Sequence, residues 1–87
     1  MDKIKNVFVT GGSSGIGKAI VKRFALLEDY KVFFTFNSNE KGAQDVVHEL
    51  PNVKALRCDI TDSVSCRSIM EAFHEQQISI DILVNNA

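Results

Sequence analysis

Residues 10–17, Thr-Gly-Gly-Ser-Ser-Gly-Ile-Gly, decide the fold of this chain. The run before them, residues 4–9, is rich in β-branched and aromatic side chains, as is typical of a buried strand. After them the apolar spacing becomes helical, and the inward face of this helix is expected to carry Ile16, Ile20, Phe24 and Leu27. A glycine-rich turn between a strand and a helix is the pattern of a phosphate-binding site.

Each part of this loop has a physical reason to be there. Gly11 permits a tight turn, Gly15 lets the backbone approach a pyrophosphate, and Gly17 lets the helix pack closely against the strand. Free N–H groups at the start of the helix, together with its dipole, attract the phosphate charge. The hydroxyl groups of Ser13 and Ser14 can donate to the same anion. The loop therefore predicts a dinucleotide site, and a purely structural turn is the alternative.

The alternation of strands and helices continues along the whole chain. Further strands are predicted at residues 31–36, 53–58 and 80–84. One intervening helix is predicted to begin near Asn37, three positions before Glu40, and to end at Pro51. The other follows Asp62. The expected buried faces of these two helices are, in order, Ala43, Val46, Val47 and Leu50, and Cys66, Ile69, Met70 and Phe73.

The order of elements, βαβαβαβ, predicts an α/β fold with a parallel sheet and right-handed crossovers. In a doubly wound sheet of the Rossmann type, the first four strands lie in the order 3-2-1-4, with the ligand crevice between strands 1 and 4. Because 87 residues are too few for two domains, we expect residues 1–87 to form the dinucleotide-binding part of a single Rossmann domain.

Composition argues against several other classes of protein. The hydrophobic content of 45% is that of a globular chain, and the net charge of −1 lacks the basic excess of a nucleic-acid-binding protein. No apolar run approaches the roughly 18 residues that a membrane helix requires, and no secretory signal is recognisable. Cys58 and Cys66, without a Cys/His cluster, predict small core residues rather than a metal site or a disulfide framework. We therefore expect a reduced, cytoplasmic protein with no metal, nucleic-acid or membrane partner.

Three motifs together resemble the short-chain dehydrogenase/reductase family. They are Thr-Gly-x-x-x-Gly-Ile-Gly at residues 10–17, Cys-Asp-Ile-Thr-Asp at 58–62 and Ile-Leu-Val-Asn-Asn-Ala at 82–87. The resemblance covers the whole chain, and within the family the sequence looks most like 3-oxoacyl-acyl-carrier-protein reductases. It implies an oxidoreductase that transfers hydride between NADP(H) and a carbonyl or alcohol substrate, such as a 3-oxoacyl thioester. It also implies a homo-oligomer, a dimer or tetramer, when the protein is full length.

The resemblance further implies roles for individual residues. The glycine loop would hold the pyrophosphate and the adenosine ribose, and Asp59 would accept a hydrogen bond from the adenine amino group beside the Ile60 backbone. Asn86 would lie along the cofactor, while Asn85 would tie the central strands together. The candidate cofactor-binding residues are Gly11, Gly12, Ser13, Ser14, Gly15, Ile16, Gly17, Asn37, Asp59, Ile60 and Asn86. The alternatives to these roles are structural: Asp59 could merely end a strand, and Asn85-Asn86 could be a turn.

Asn37 bears on the choice between NADP and NAD. A Rossmann fold that binds NAD usually carries an acidic residue about 20 positions beyond the glycine loop, where it bonds to the ribose 2′-hydroxyl. The corresponding residue here is the neutral Asn37, so a 2′-phosphate meets no repulsion and NADP is favoured. The supporting cation is missing, since position 14 is Ser and the nearest downstream cation is Lys41. NAD therefore remains the alternative.

The chain contains no match to the catalytic residues of the family. Members use Ser, Tyr and Lys from the second half of the fold, with Tyr as the acid and base. The single tyrosine, Tyr30, is followed four residues later by Phe34 and so does not match the family's Tyr-x-x-x-Lys pattern. The resemblance thus implies the cofactor-binding half of an enzyme, inactive by itself. A non-catalytic dinucleotide-binding module, or a truncated or degenerate family member, is the alternative.

Overall fold

The computed structural model describes residues 4–13 and 15–86 of the chain. Within these residues, strands and helices alternate as the sequence predicts, with strand ends shifted by one or two residues. The elements are β1 (Lys5–Thr10), α1 (Gly15–Ala25), β2 (Tyr30–Phe36), α2 (Glu40–Glu49), β3 (Val53–Arg57), α3 (Ser63–Glu75) and β4 (Ile82–Asn85). None of the helices in the described part of the chain is long and apolar enough to cross a membrane.

All neighbouring strands are parallel, and their order in the sheet is β3-β2-β1-β4. This confirms the predicted doubly wound arrangement. The chain steps in one direction from β1 to β3 and then returns past β1 to β4. Because such crossovers are right-handed, α1 and α2 cover one face of the sheet and α3 covers the other.

Each face of the sheet has its own hydrophobic core. The face under α1 and α2 buries Val7, Val9, Val32 and Phe34 of the sheet against Val21 and Val46 of the helices. On the opposite face, Phe73 of α3 packs edge-on against two aromatic rings of the sheet. Its ring centroid lies 5.5 Å from that of Phe8 and 5.0 Å from that of Phe33. Such aromatic pairs contribute about 0.5–1.5 kcal/mol each beyond their buried area.

The predicted inward face of α1 is wrong at both ends. The buried residues of this helix are Gly17, Val21 and Ala25, whereas 74% of Ile16 and 49% of Leu27 is exposed. The inward stripe is displaced because Gly17, one position beyond Ile16, packs directly against the Gly11 backbone and the Asn86 side chain. Leu27 lies past the end of the helix at Ala25.

The start of α2 also differs from the prediction. The helix is capped by Asn39 rather than Asn37, and the Asn39 side-chain oxygen accepts the N–H of Gly42 at 3.1 Å. This places Asn37 two residues outside the cap, where its side chain is exposed. On α3, Phe73 is buried as expected, but 46% of Met70 is exposed.

Candidate functional site

The glycine loop is anchored to β2 by a single buried threonine. The N–H of Gly11 donates to Thr35 Oγ1 at 3.0 Å, and the N–H of Gly12 donates to the Thr35 carbonyl oxygen at 3.0 Å. Only 2% of Thr35 is exposed. Gly11 itself has φ +75°, which allows the chain to turn sharply after β1. The side chain and the backbone carbonyl group of Thr35 therefore both hold the first turn of the loop in place.

Two other glycines of the loop are required by close packing. A Cβ at Gly12 would lie 2.6 Å from the Cβ of Phe34. At Gly17 a Cβ would overlap the carbonyl oxygen of Gly11 and lie 2.6 Å from the Nδ2 of Asn86. The close contact between helix and strand that the sequence predicts at Gly17 is therefore present. Gly12 extends the same tight packing to β2.

Gly15, the first residue of α1, occupies a different environment. Its φ is +60°, and an ideal Cβ built on it has, among the described residues outside its chain neighbours and its own helix backbone, no heavy atom within 4 Å. The first turn of α1 contains no acidic residue. Since the N–H groups of a first helical turn have no partner within the helix, this end of α1 presents donors and a positive dipole beside open space. A phosphate group fits this cradle, which a side chain at position 15 would fill.

The remaining loop residues have contrasting surroundings. Only 8% of Ser13 is exposed, and its carbonyl oxygen accepts the Nδ2–H of Asn39 at 3.3 Å, which ties the loop to the start of α2. Ile16 projects from the first turn of α1 and is 74% exposed. Ser14 lies outside the described residues, so its predicted contribution to phosphate binding stays a prediction.

The end of β4 is joined to the glycine loop through side chains. The Thr10 hydroxyl donates to Asn85 Oδ1 at 3.3 Å and accepts the N–H of Asn86 at 2.9 Å. Asn86 Nδ2 donates to the Gly11 carbonyl oxygen at 3.2 Å. Asn85 therefore ties β4 to β1, as the family resemblance implies, and Asn86 adds a second tie that reaches the loop. Ala87, the last residue of the motif, lies outside the described residues.

Asp59 stands just after β3 and forms a local turn. Its Oδ1 accepts both the backbone N–H of Thr61 at 2.9 Å and the Thr61 hydroxyl at 2.6 Å. These bonds favour the ionised carboxylate and lower the pKa of Asp59. Among the described residues no donor reaches Oδ2, so this oxygen remains available as an acceptor. The adjacent Ile60 is 40% exposed.

Asn37 lies at the carboxyl end of β2, next to a cation that the sequence did not point to. Arg57 Nη1 donates to the Asn37 carbonyl oxygen at 3.1 Å, and its Nη2 pairs with Glu40 Oε2 at 3.2 Å. The guanidinium lies over the Phe36 ring, 5.2 Å from its centroid. The sequence indicated Lys41 as the nearest cation instead. Arg57 is 20 positions from Asn37 in the chain, and only the pairing of β2 with β3 brings it close.

Thr35 is the other residue of the site that sequence reasoning missed. A signal for it exists, because Thr35 is the one polar side chain in the apolar run from 32 to 36. A polar group on a buried strand needs a hydrogen-bond partner, and a glycine loop beside the strand offers backbone N–H donors. Arg57 has no comparable signal, since a charged residue at the end of an edge strand is usually a solvated one.

The two cysteines lie close together, and one of them, Cys58, immediately precedes Asp59 in the chain. Cys58 is buried, and its Sγ is 3.8 Å from the Sγ of Cys66 on α3. Both are free thiols. Burial, followed by the hydrogen bond with Cys66, raises the pKa of Cys58 to about 11. At neutral pH Cys58 is therefore a protonated core residue. The described residues contain no group of three or more His, Cys, Asp and Glu side chains placed to hold a metal ion.

Comparison with known proteins identifies the family. The profile of the short chain dehydrogenase family matches residues 5–87. The chain belongs to this family. It is 42% identical over 84 residues to the 3-oxoacyl-acyl-carrier-protein reductase of Escherichia coli (strain K12), an alignment that covers 95% of this chain and 34% of that protein. The chain therefore spans about a third of the length of this relative.

Solved structures agree with the fold and the family. A dehydrogenase/reductase from Sinorhizobium meliloti superposes with a TM-score of 0.86 at 39% identity, over 98% of this chain and 35% of that one. BdcA in complex with NADPH superposes with a TM-score of 0.82 at 31% identity, over 99% of this chain and 33% of that one. In each case the matched part is about a third of the longer chain.

Proposed function

We propose that this chain is the dinucleotide-binding part of an NADP(H)-dependent reductase that acts on carbonyl compounds. The observation that carries the proposal is the open cradle at Gly15, where a positive φ and free space meet the N-terminus of α1. Family membership and the likeness to an NADPH complex of BdcA support it. Family membership also favours the enzyme over a non-catalytic binding module.

In this proposal the chain binds and orients the dinucleotide. The N–H groups of the first turn of α1 meet the pyrophosphate charge, while Thr35 and Asn86 hold Gly11 in position through hydrogen bonds. The free Oδ2 of Asp59 accepts a hydrogen bond from the adenine amino group. Bound NADP(H) supplies the hydride for the reaction.

The preference for NADP(H) over NAD(H) rests on the corner at the end of β2. Asn37 is exposed there and carries no charge, so a 2′-phosphate is not repelled as it would be by a carboxylate. Arg57 adds a positive charge within hydrogen-bond distance of the Asn37 carbonyl oxygen. The corner is thus better suited to a phosphate than to a hydroxyl group.

We further propose that the substrate is a 3-oxoacyl thioester or a related carbonyl compound, on the basis of the 42% identity to the Escherichia coli reductase. The catalytic acid would come from the part of the enzyme that this chain does not span. General acid catalysis typically contributes about 10²–10⁴-fold to a rate. The 87-residue chain by itself is therefore expected to show no reductase activity.

Replacing Gly15 by Asn in the full-length protein tests the phosphate site. Asn tolerates a positive φ better than other side chains, so the change fills the cradle with little backbone strain. We expect the affinity for NADPH, measured by isothermal titration calorimetry, to fall by at least about tenfold, or 1.4 kcal/mol.

Gln77 offers a matched control. It has φ +58° and lies between α3 and the amino end of β4, whereas the loop follows the carboxyl end of β1. The substitution Gln77→Asn introduces the same side chain at a similar φ and should leave NADPH affinity unchanged. If Gly15→Asn folds normally by circular dichroism and binds NADPH as tightly as the wild type, the phosphate site is not at this loop.

A further inference from the structure

Arg57 stands where the ribose 2′-substituent of a bound dinucleotide is expected. In Rossmann folds the residue that contacts this substituent lies at the end of the second strand, about 20 positions beyond the glycine loop. Here that residue is Asn37, and Arg57 Nη1 lies 3.1 Å from its carbonyl oxygen. The strand register explains the contact, since Arg57 pairs with Phe36 across β2 and β3.

The guanidinium is held at this corner from two sides. It lies over the face of the Phe36 ring, 5.2 Å from the centroid, and donates to the Asn37 backbone. A cation–π contact of this kind favours this position of the guanidinium. Because Phe36 is itself 9% exposed and packed in the core, the platform under the guanidinium is rigid. The charge is therefore positioned before any ligand binds.

The pairing of Arg57 with Glu40 does not prevent the guanidinium from binding an anion. The two side chains are 59% and 54% exposed, and exposed ion pairs are weak because water screens both charges. Arginine has five N–H donors, of which the contacts within the described residues use two, one on each terminal nitrogen. Donors remain for a phosphate, and a dianionic phosphate attracts the guanidinium more strongly than a carboxylate does.

We propose that Arg57 is the residue that selects NADP(H) by binding its 2′-phosphate, and that the phosphate replaces Glu40 as the anionic partner of the guanidinium. This inference rests on the proposed function, because it requires a dinucleotide to bind at the glycine loop. Lys41 is the rival cation. It lies in the first turn of α2, yet among the described residues it makes no hydrogen bond or ion pair that directs it toward Asn37.

The test uses two nucleotides that differ only in the 2′-phosphate. Binding of 2′,5′-ADP and of 5′-AMP to the full-length protein is measured by titration calorimetry for the wild type and for Arg57→Gln. We expect the variant to bind 2′,5′-ADP at least about tenfold more weakly and 5′-AMP unchanged. Arg57→Lys should recover part of the loss, since it restores the charge but not the planar donor fork. Glu40→Gln should bind 2′,5′-ADP more tightly, because it removes the competing carboxylate.

Lys31→Gln is the matched control. Lys31 lies over the Phe33 ring, 5.4 Å from its centroid, at the end of β2 that is opposite to Phe36. The Lys31→Gln substitution removes a similar cation–π contact and one positive charge. It should leave the affinities for 2′,5′-ADP and 5′-AMP unchanged. Equal weakening of both nucleotides by Arg57→Gln would indicate a merely structural role and overturn the inference. A loss of 2′,5′-ADP binding in Lys41→Gln but not in Arg57→Gln would also overturn it. If neither nucleotide binds the wild type, the proposed function itself fails.

Discussion

Thr35→Val isolates the hydrogen bond that anchors the glycine loop. Val matches Thr in shape, so the change removes the Oγ1 acceptor of the Gly11 N–H and little else. Leaving a partly buried N–H without a partner costs about 1–3 kcal/mol. The backbone bond from Gly12 to the Thr35 carbonyl oxygen survives, and the added methyl group offsets part of the loss. We therefore expect the free energy of unfolding to fall by about 1–2 kcal/mol.

Thr35→Ser is the companion variant, because it keeps the hydroxyl and loses only a methyl group. That deletion should cost about 0.8 kcal/mol, near the value for one buried carbon. Urea denaturation followed by circular dichroism measures both stabilities in the full-length protein, and titration with NADPH measures the state of the loop. Thr35→Val should weaken NADPH binding, while Thr35→Ser should bind like the wild type. If Thr35→Val were as stable as the wild type and bound NADPH equally well, the anchoring role of Thr35 would be refuted.

Two further predictions concern the corner beyond β2 and the buried thiol. Asn37→Asp should shift the ratio of kcat/KM for NADPH and NADH toward NADH, because a carboxylate accepts the ribose 2′-hydroxyl and repels a 2′-phosphate. If the ratio of kcat/KM for NADPH and NADH does not change, Asn37 does not determine the choice of cofactor. The free energy of unfolding should decrease as the pH rises from about 9 to about 11, since Cys58 ionises near 9.0 when unfolded but only near 11 when folded. Urea denaturation of the wild type and Cys58→Ala checks this, and equal pH dependence in the two proteins would contradict it.

Local features of the fold and of the loop were predictable from the sequence because they depend on local physical chemistry. Strand and helix periodicity placed every element within the described residues, and the glycine spacing predicted both the turn at Gly11 and the close packing at Gly17. The errors lie where competing local signals are nearly equal. Asn37 and Asn39 are both good caps, and Asn39 caps α2 in the structure. The inward face of α1 begins at Gly17 rather than Ile16.

Sequence alone thus determined the order of the elements, the order of the strands and the position of the glycine loop. The elements and the loop follow from periodicity and turn chemistry, which act over short stretches of chain, and the strand order is that of the doubly wound fold that this alternation predicts. Only the tertiary structure showed that Thr35 anchors Gly11, that Asn86 also bonds to Gly11, and that Arg57 reaches Asn37. Such contacts depend on the register between strands that are far apart in the chain. In this parallel sheet, neighbouring strands are separated in the chain by at least one helix, so residue spacing does not reveal which side chains meet.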